Sequence, residues 1–229
     1  MANVPDIAKT AKLLADSSRA VFLNALMEVD GLPASALAQQ AGITLQTASS
    51  HLHQLIEGQL IKVEQHGRHK YYRLASVEVA QVIEALSALA PKPAVHSFNS
   101  YSASQKLRKA RSCYDHLAGA LGVMLTDYFV KQSYLIESND LNYEVTFEGM
   151  IFFTSMGIDL TALQKQRRQF ARRCLDWSER RYHLAGSLGH AVMNQLITRK
   201  WIVQQPKRVV SVTELGAASF QAEFGLTLS

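Results

Sequence analysis

Apolar residues recur at helical spacing in a series of short blocks along residues 1–90. Ile7, Ala11 and Leu14 form the first; Val21, Ala25 and Met27–Val29 follow a Ser17/Ser18 cap; Ala34, Leu37 and Ala38 follow Pro33. Gly42 closes that third helix, and Thr44 caps a fourth in which Ala48, Leu52 and Leu55 share one face. Gln46, Thr47, Ser50 and His53 then point the other way. The pattern next changes to two strand-like runs, 60–65 and 69–74, around the turn His66-Gly67-Arg68, which predicts a β-hairpin. Ser76 caps a fifth helix with Val79, Val82, Ile83, Leu86 and Leu89 as its apolar face.

Residues 91–104 hold two prolines and four serines without a sustained period, the composition of a linker. Residues 105–229 contain an internal repeat at an offset of 67 positions. His116-Leu-Ala-Gly-Ala-Leu-Gly122 lies over His183-Leu-Ala-Gly-Ser-Leu-Gly189, and Val145-Thr146-Phe-Glu-Gly149 lies over Val212-Thr213-Glu-Leu-Gly216 without a gap. Each copy (116–158 and 183–225) reads as a helix (116–131, 183–199), a hairpin opening at an aromatic (Tyr134, Trp201) and a Thr-capped short helix. Between the copies, Leu160, Leu163, Phe170, Cys174 and Trp177 predict one long helix over 160–181; Leu107, Ala110, Tyr114, Leu117 and Leu121 form a matching stripe before the first hairpin. The fold class expected is mainly α with small β-hairpins (α+β): an N-terminal winged helix-turn-helix over 1–90 and a C-terminal domain of two repeated, wing-like units over 105–229.

Composition narrows this little. The 229 residues are 48% hydrophobic and 19% charged, enough for packed cores. No secretory signal pattern and no run of about 18 apolar residues occurs, so a cytoplasmic protein without membrane contact is expected. The net charge of +5 suits a polyanionic partner. Its distribution is unexpected, since residues 1–90 carry seven Lys/Arg against eight Asp/Glu and the whole excess lies beyond them.

In a helix-turn-helix, one helix braces across phosphates while the next sets its first turns against base edges in the major groove, which calls for short polar side chains there. Residues 37–52 meet that requirement, with Gln46 suited to a bidentate contact to adenine and Thr44, Thr47, Ser49, Ser50 and His53 around it. A polar helix face alone would be only solvated surface. The hairpin tip that follows, Arg68, His69 and Lys70, supplies positive reach toward the backbone or minor groove and makes the pattern specific. Leu14-Ala-Asp-Ser-Ser-Arg19, Gly42-Ile-Thr, Ser50-His51-Leu52-His-Gln-Leu55, Gly58-Gln-Leu60-Ile and Gly67-Arg68-His-Lys-Tyr71-Tyr72-Arg-Leu74 stand in the order of the ArsR family of winged-helix regulators, which residues 5–90 resemble. The resemblance implies a homodimer joined through the first and last helices of this domain, binding an inverted repeat in double-stranded DNA as a repressor released by an effector.

Metal-sensing members of that family carry Cys-x-Cys on the third helix or His and acidic ligands on the last. Residues 32–37 and 76–84 hold no Cys or His, which excludes soft-metal sensing at those places. Only two cysteines occur, Cys113 and Cys174, neither in a close pair of zinc-finger type, so no disulfide framework, structural zinc or cofactor is expected. His51 reads as a packing or phosphate-facing residue. His116 and His183 read as caps that orient helix starts, with a shared ligand role as the alternative. The cysteines read as small buried hydrophobes or, beside Arg111, Arg172 and Arg173, as a thiol sensor. For a small-molecule effector, Trp177 and Tyr182 offer apolar walls and Arg173, Arg180 and Arg181 an anion-orienting edge near Cys113 and Cys174; the alternative is a packed seam. No P-loop, dinucleotide fingerprint, nucleophile elbow or HExxH occurs, which argues against an enzyme domain fused to a DNA-binding head.

Overall fold

The computed structural model describes residues 5–29, 31–91, 98–138 and 141–227. The chain divides into two compact units, Met1–Ile83 and Glu84–Ser229. The expected linker falls partly outside the described residues, and its second half from Phe98 is helical.

In the first unit, α1 (Ile7–Leu14) and α2 (Ser17–Leu26) are joined by a tight turn. Asp16 caps α2, accepting the Arg19 amide at 2.9 Å, in place of the expected Ser17/Ser18. Arg19 then turns back, its guanidinium donating to the carbonyls of Leu13 (2.7 Å) and Lys12 (2.8 Å) that α1 leaves without helical partners. Phe22, Leu23, Ala25, Leu26 and Met27 are buried, while Val21 and Val29, expected inside, are exposed. The larger side chains remove more apolar surface from water and set the inward face. Next come α3 (Ala34–Ala41), ended by Gly42, and α4 (Leu45–Glu57), whose Ala48, Leu52 and Leu55 enter the core as expected.

The hairpin of β1 (Ile61–His66) and β2 (His69–Leu74) pairs from Ile61↔Leu74 to His66↔His69. Gly67, at φ +61°, takes the first corner of its two-residue turn. Leu32 adds a third edge, exchanging backbone hydrogen bonds with Tyr72 at 2.8 and 2.9 Å. On α5 (Val77–Leu89), Ala80, Ile83 and Ala88 are buried, but the expected core residues Val82, Leu86 and Leu89 are exposed.

The second unit starts with α6 (Phe98–Lys109) and then runs twice through the same order. The first pass is β3 (Arg111–Cys113), β4 (His116–Ala118), α7 (Gly119–Lys131), β5 (Leu135–Glu137), β6 (Tyr143–Val145) and α8 (Phe147–Ser155). After the short α9 (Leu160–Gln164), the second is β7 (Arg172–Leu175), β8 (Tyr182–Ala185), α10 (Gly186–Thr198), β9 (Ile202–Gln204), β10 (Val210–Val212) and α11 (Glu214–Phe224). The long helix expected over 160–181 is therefore absent: its C-terminal stripe residues lie on a hairpin and its turn. The helices expected from 116 and 183 likewise begin with strands. Gly119 and Gly186, at φ +77° and +80°, make the strand-to-helix corner, where a Cβ would stand 2.7 Å from the Arg108 carbonyl oxygen or 2.6 Å from that of Gln169.

The two passes are interlocked. The β9–β10 hairpin lies along β3, with Ser112 donating to Arg208 O (2.8 Å) and Val210 to Ala110 O (3.0 Å). The β5–β6 hairpin lies along β7, with Tyr143 donating to Ala171 O (2.7 Å) and Arg173 to Leu141 O (2.9 Å). Thr146 and Thr213 cap α8 and α11 as expected, each accepting an amide at 2.9 Å from Gly149 or Gly216. A Cβ on Gly216 would lie 1.9 Å from the Trp201 carbonyl oxygen. Gly216→Ala is accordingly expected to destabilise this unit by about 3 kcal/mol or more, the upper end for overpacking, because the obstacle is backbone. Urea denaturation of the variant checks it, and a loss below about 1 kcal/mol would show that α11 shifts freely.

Candidate functional site

Thr44 caps α4, accepting the Thr47 amide at 3.2 Å, and its hydroxyl meets that of Thr47 at 2.9 Å. Ser49 donates to the Leu45 carbonyl at 2.9 Å, so Thr44 and Ser49 serve the helix itself. His53 lies 3.4 Å from Glu57 across one turn. Gln46 and Ser50 are exposed, and their side chains make no intramolecular hydrogen bond among the described residues. His51 instead packs inward, edge-on to Phe22, with Nδ1 3.4 Å from the Arg19 guanidinium and 3.7 Å from Asp16. That is the packing reading of His51. Arg68, His69 and Lys70 are all exposed around the hairpin turn. The unit thus presents a helix whose first turns carry short polar groups, followed by a cationic hairpin tip, the two parts a groove-reading module needs.

The second unit holds a different kind of site. Register places Cys113 opposite His116 on β3–β4 and Cys174 opposite His183 on β7–β8. The two hairpins bring these four side chains together: one ligating atom from each lies within 4.8 Å of all the others, and all four residues are buried. The sulfurs are 3.8 Å apart and the Nε2 atoms 3.1 Å apart. Sequence reasoning expected no structural zinc and kept a shared ligand role for His116 and His183 only as an alternative, because it sought cysteine ligands in close linear pairs. Aligning the copies on their histidines, 67 positions apart, also concealed the match between cysteines 61 positions apart. The usable signal was that each Cys precedes a repeated His by a hairpin turn.

Carboxylates back both histidines. His116 Nδ1 is 3.2 Å from Asp115, which Arg168 also grips; His183 Nδ1 is 3.3 Å from Asp176, which Arg111 contacts at 2.9 Å. Asp176 is fully buried and accepts from the Gly119, Ser178 and Glu179 amides. Against the cost of burial, His183, Arg111 and Ser178 hold its carboxyl well below the usual range. His116 and Arg168 do the same for Asp115. Burial pushes the Cys113 thiol well above its ordinary value, which does not suit an activated, solvent-facing thiolate.

The side chains expected to bind an effector are engaged with protein groups. Trp177 is covered by Arg111 (4.4 Å), and Arg173 lies over Tyr182 (4.3 Å) while pairing with Glu137. Arg181 pairs with Asp127, and Arg180 occupies a turn at φ +58°. A cleft of about 750 Å³ opens elsewhere in the unit, lined by Ala110, Leu121, Met124, Val209 and Val212 with Lys106 and Lys109 at its edge. Among the described residues, no helix is long and apolar enough to cross a membrane.

Residues 14–64 match a helix-turn-helix domain family, HTH_20. Over 225 residues the chain is 45% identical to YdfF of Bacillus subtilis (strain 168), an uncharacterized HTH-type transcriptional regulator, covering 98% of this chain and 99% of that protein. Similar solved structures include a homodimeric winged helix-turn-helix DNA-binding domain from Mycobacterium bovis, a possible ArsR-family transcriptional regulator (29% identity, 39% of this chain and 89% of that one, TM-score 0.35). The transcriptional repressor BigR from Xylella fastidiosa is another (26% identity, 38% and 89%, TM-score 0.35).

Proposed function

The chain belongs to the HTH-type transcriptional regulators, and from that premise we propose that it is a homodimeric repressor that reads DNA through α4 and the β1–β2 wing and is released by a non-metal effector held in the second unit. The observation that carries the reading is the outward face of α4, where Gln46 and Ser50 stand exposed immediately before a cationic hairpin. Gln46 offers the paired donor and acceptor that match adenine; Arg68, His69 and Lys70 offer charge to phosphates.

Dimerisation follows from what α1 and α5 leave uncovered. No residue of α1 is buried, Ile7 is 77% exposed, and on α5 Leu89 is 80% exposed beside Val82 and Leu86. Exposed apolar groups on each of these helices support a self-complementary interface. For the effector, the cleft lined by Leu121, Met124 and Val212 has the size of a small-molecule site, and Lys106 and Lys109 favour an anionic or polar ligand.

Footprinting on the chain's own promoter supplies the operator for the test. Gln46→Ala is expected to lose about 1–3 kcal/mol at one base position and to relax specificity there. Arg68→Ala is expected to weaken binding to every sequence and to reduce the salt slope by about one. If neither change alters operator affinity, α4 and the wing are not the DNA face.

A further inference from the structure

We propose that Cys113, His116, Cys174 and His183 form a closed tetrahedral site for a zinc-class divalent cation, which clasps the two halves of the second unit. Zinc bonds of about 2.3 Å to sulfur and 2.0–2.1 Å to nitrogen, at tetrahedral angles, separate two sulfurs by about 3.8 Å and two nitrogens by about 3.3–3.4 Å. The observed separations are 3.8 Å for the sulfurs and 3.1 Å for the Nε2 atoms. Two of the six edges of such a tetrahedron are therefore already at or near their ligated lengths.

The orientation of the imidazoles points the same way. Asp115 and Asp176 lie 3.2 and 3.3 Å from the Nδ1 atoms, where a carboxylate favours the proton, and the two Nε2 atoms meet at 3.1 Å. A carboxylate behind each histidine is the usual outer shell of a ligating imidazole, fixing its tautomer and aim. A proton shared between the Nε2 atoms would relieve that one edge, but it would not explain why two thiols converge on the same point.

Charge and burial complete the case. Binding displaces one proton from each thiol, and a dication with two thiolates and two neutral imidazoles has no net charge, so it suits a dry interior. Exposure is 2% for Cys113, 3% for His116, 8% for Cys174 and 0% for His183, which leaves no open position for water or substrate. Four protein ligands in a closed shell mark a structural site, and a tetrahedral N2S2 set selects zinc over magnesium or calcium. Each hairpin contributes one Cys and one His, so the cation ties the first copy to the second. This site is separate from the family's sensing positions at 32–37 and 76–84, which hold no such ligands.

The test uses the full chain, reduced and stripped of metal, titrated with Co2+ and Zn2+ in turn. One Co2+ per chain is expected, with the intense visible bands of tetrahedral cobalt and a thiolate charge-transfer band, bleached by one equivalent of Zn2+. Cys113→Ser and His183→Gln should each abolish the tetrahedral spectrum, whereas His66→Gln, on the β1–β2 hairpin of the first unit, should leave it unchanged. Because a ligand variant can fail to fold, the thermal transition of the unaltered chain is measured as well: Zn2+ should raise it and a chelator should reverse the rise. An octahedral cobalt spectrum, no uptake by the folded reduced chain, or uptake unchanged in both ligand variants would overturn the proposal. So would a Cys113–Cys174 disulfide that alone accounts for the pairing, with no metal bound after its reduction.

Discussion

Replacing Asp176 with Ala is expected to cost the second unit about 3–5 kcal/mol, the penalty for removing one partner of a buried ion pair. Arg111 is 1% exposed and Asp176 fully buried, with 2.9 Å between them, so the variant strands a guanidinium that water does not reach. It also leaves the Gly119, Ser178 and Glu179 amides without their acceptor and frees the back of His183. Both tryptophans, Trp177 and Trp201, belong to this unit, so intrinsic fluorescence during urea denaturation reads its unfolding selectively. A companion variant separates charge from packing: Arg111→Met combined with Asp176→Leu removes both charges and should recover part of the loss. A midpoint for Asp176→Ala within experimental error of the unaltered chain would mean that Arg111 is solvated after all.

Phe22→Ala is the corresponding expectation for the first unit, at about 3–5 kcal/mol for a fully buried aromatic truncated to a methyl group. Phe22 is 0% exposed and meets His51 of α4 edge-on at 6.3 Å, so the cavity opens directly beneath the helix assigned to DNA. Because no tryptophan lies in this unit, the fluorescence transition of the second should stay where it is while far-ultraviolet circular dichroism reports the loss. Operator binding should fall in proportion to the folded fraction. That outcome contrasts with Gln46→Ala, which should lower affinity without moving stability, since Gln46 is exposed. If Phe22→Ala weakened binding at full stability, Phe22 would be acting on recognition directly, and the division between supporting and reading residues would fail.

Much of the first unit was legible because its signals are local. Thr44 as a cap, Gly42 as a stop, the Ala48/Leu52/Leu55 face and Gly67 in a two-residue turn each depend on neighbours a few positions away, and each holds in the structure. The same is true of Thr146 and Thr213, whose caps repeat with the sequence. Where apolar residues competed for one core, pattern alone chose wrongly: Val21 yields to Phe22 and Leu23, and Leu86 and Leu89 stay outside because nothing among the described residues covers them. The largest difference lies around the cysteines. Strands of three or four residues carry too few positions to show alternation, so β3–β4 and β7–β8 were read as parts of helices. What draws those hairpins together is pairing across the two copies, Arg111 with Asp176, Arg168 with Asp115 and the edge bonds of Ser112 and Arg173. Such contacts join residues more than thirty positions apart, and no local preference encodes them. The sequence by itself determined the exposed polar face of α4 and the cationic hairpin tip, whose geometry follows from one helix and one turn; the grouping of Cys113, His116, Cys174 and His183 was decided only when two distant hairpins packed together.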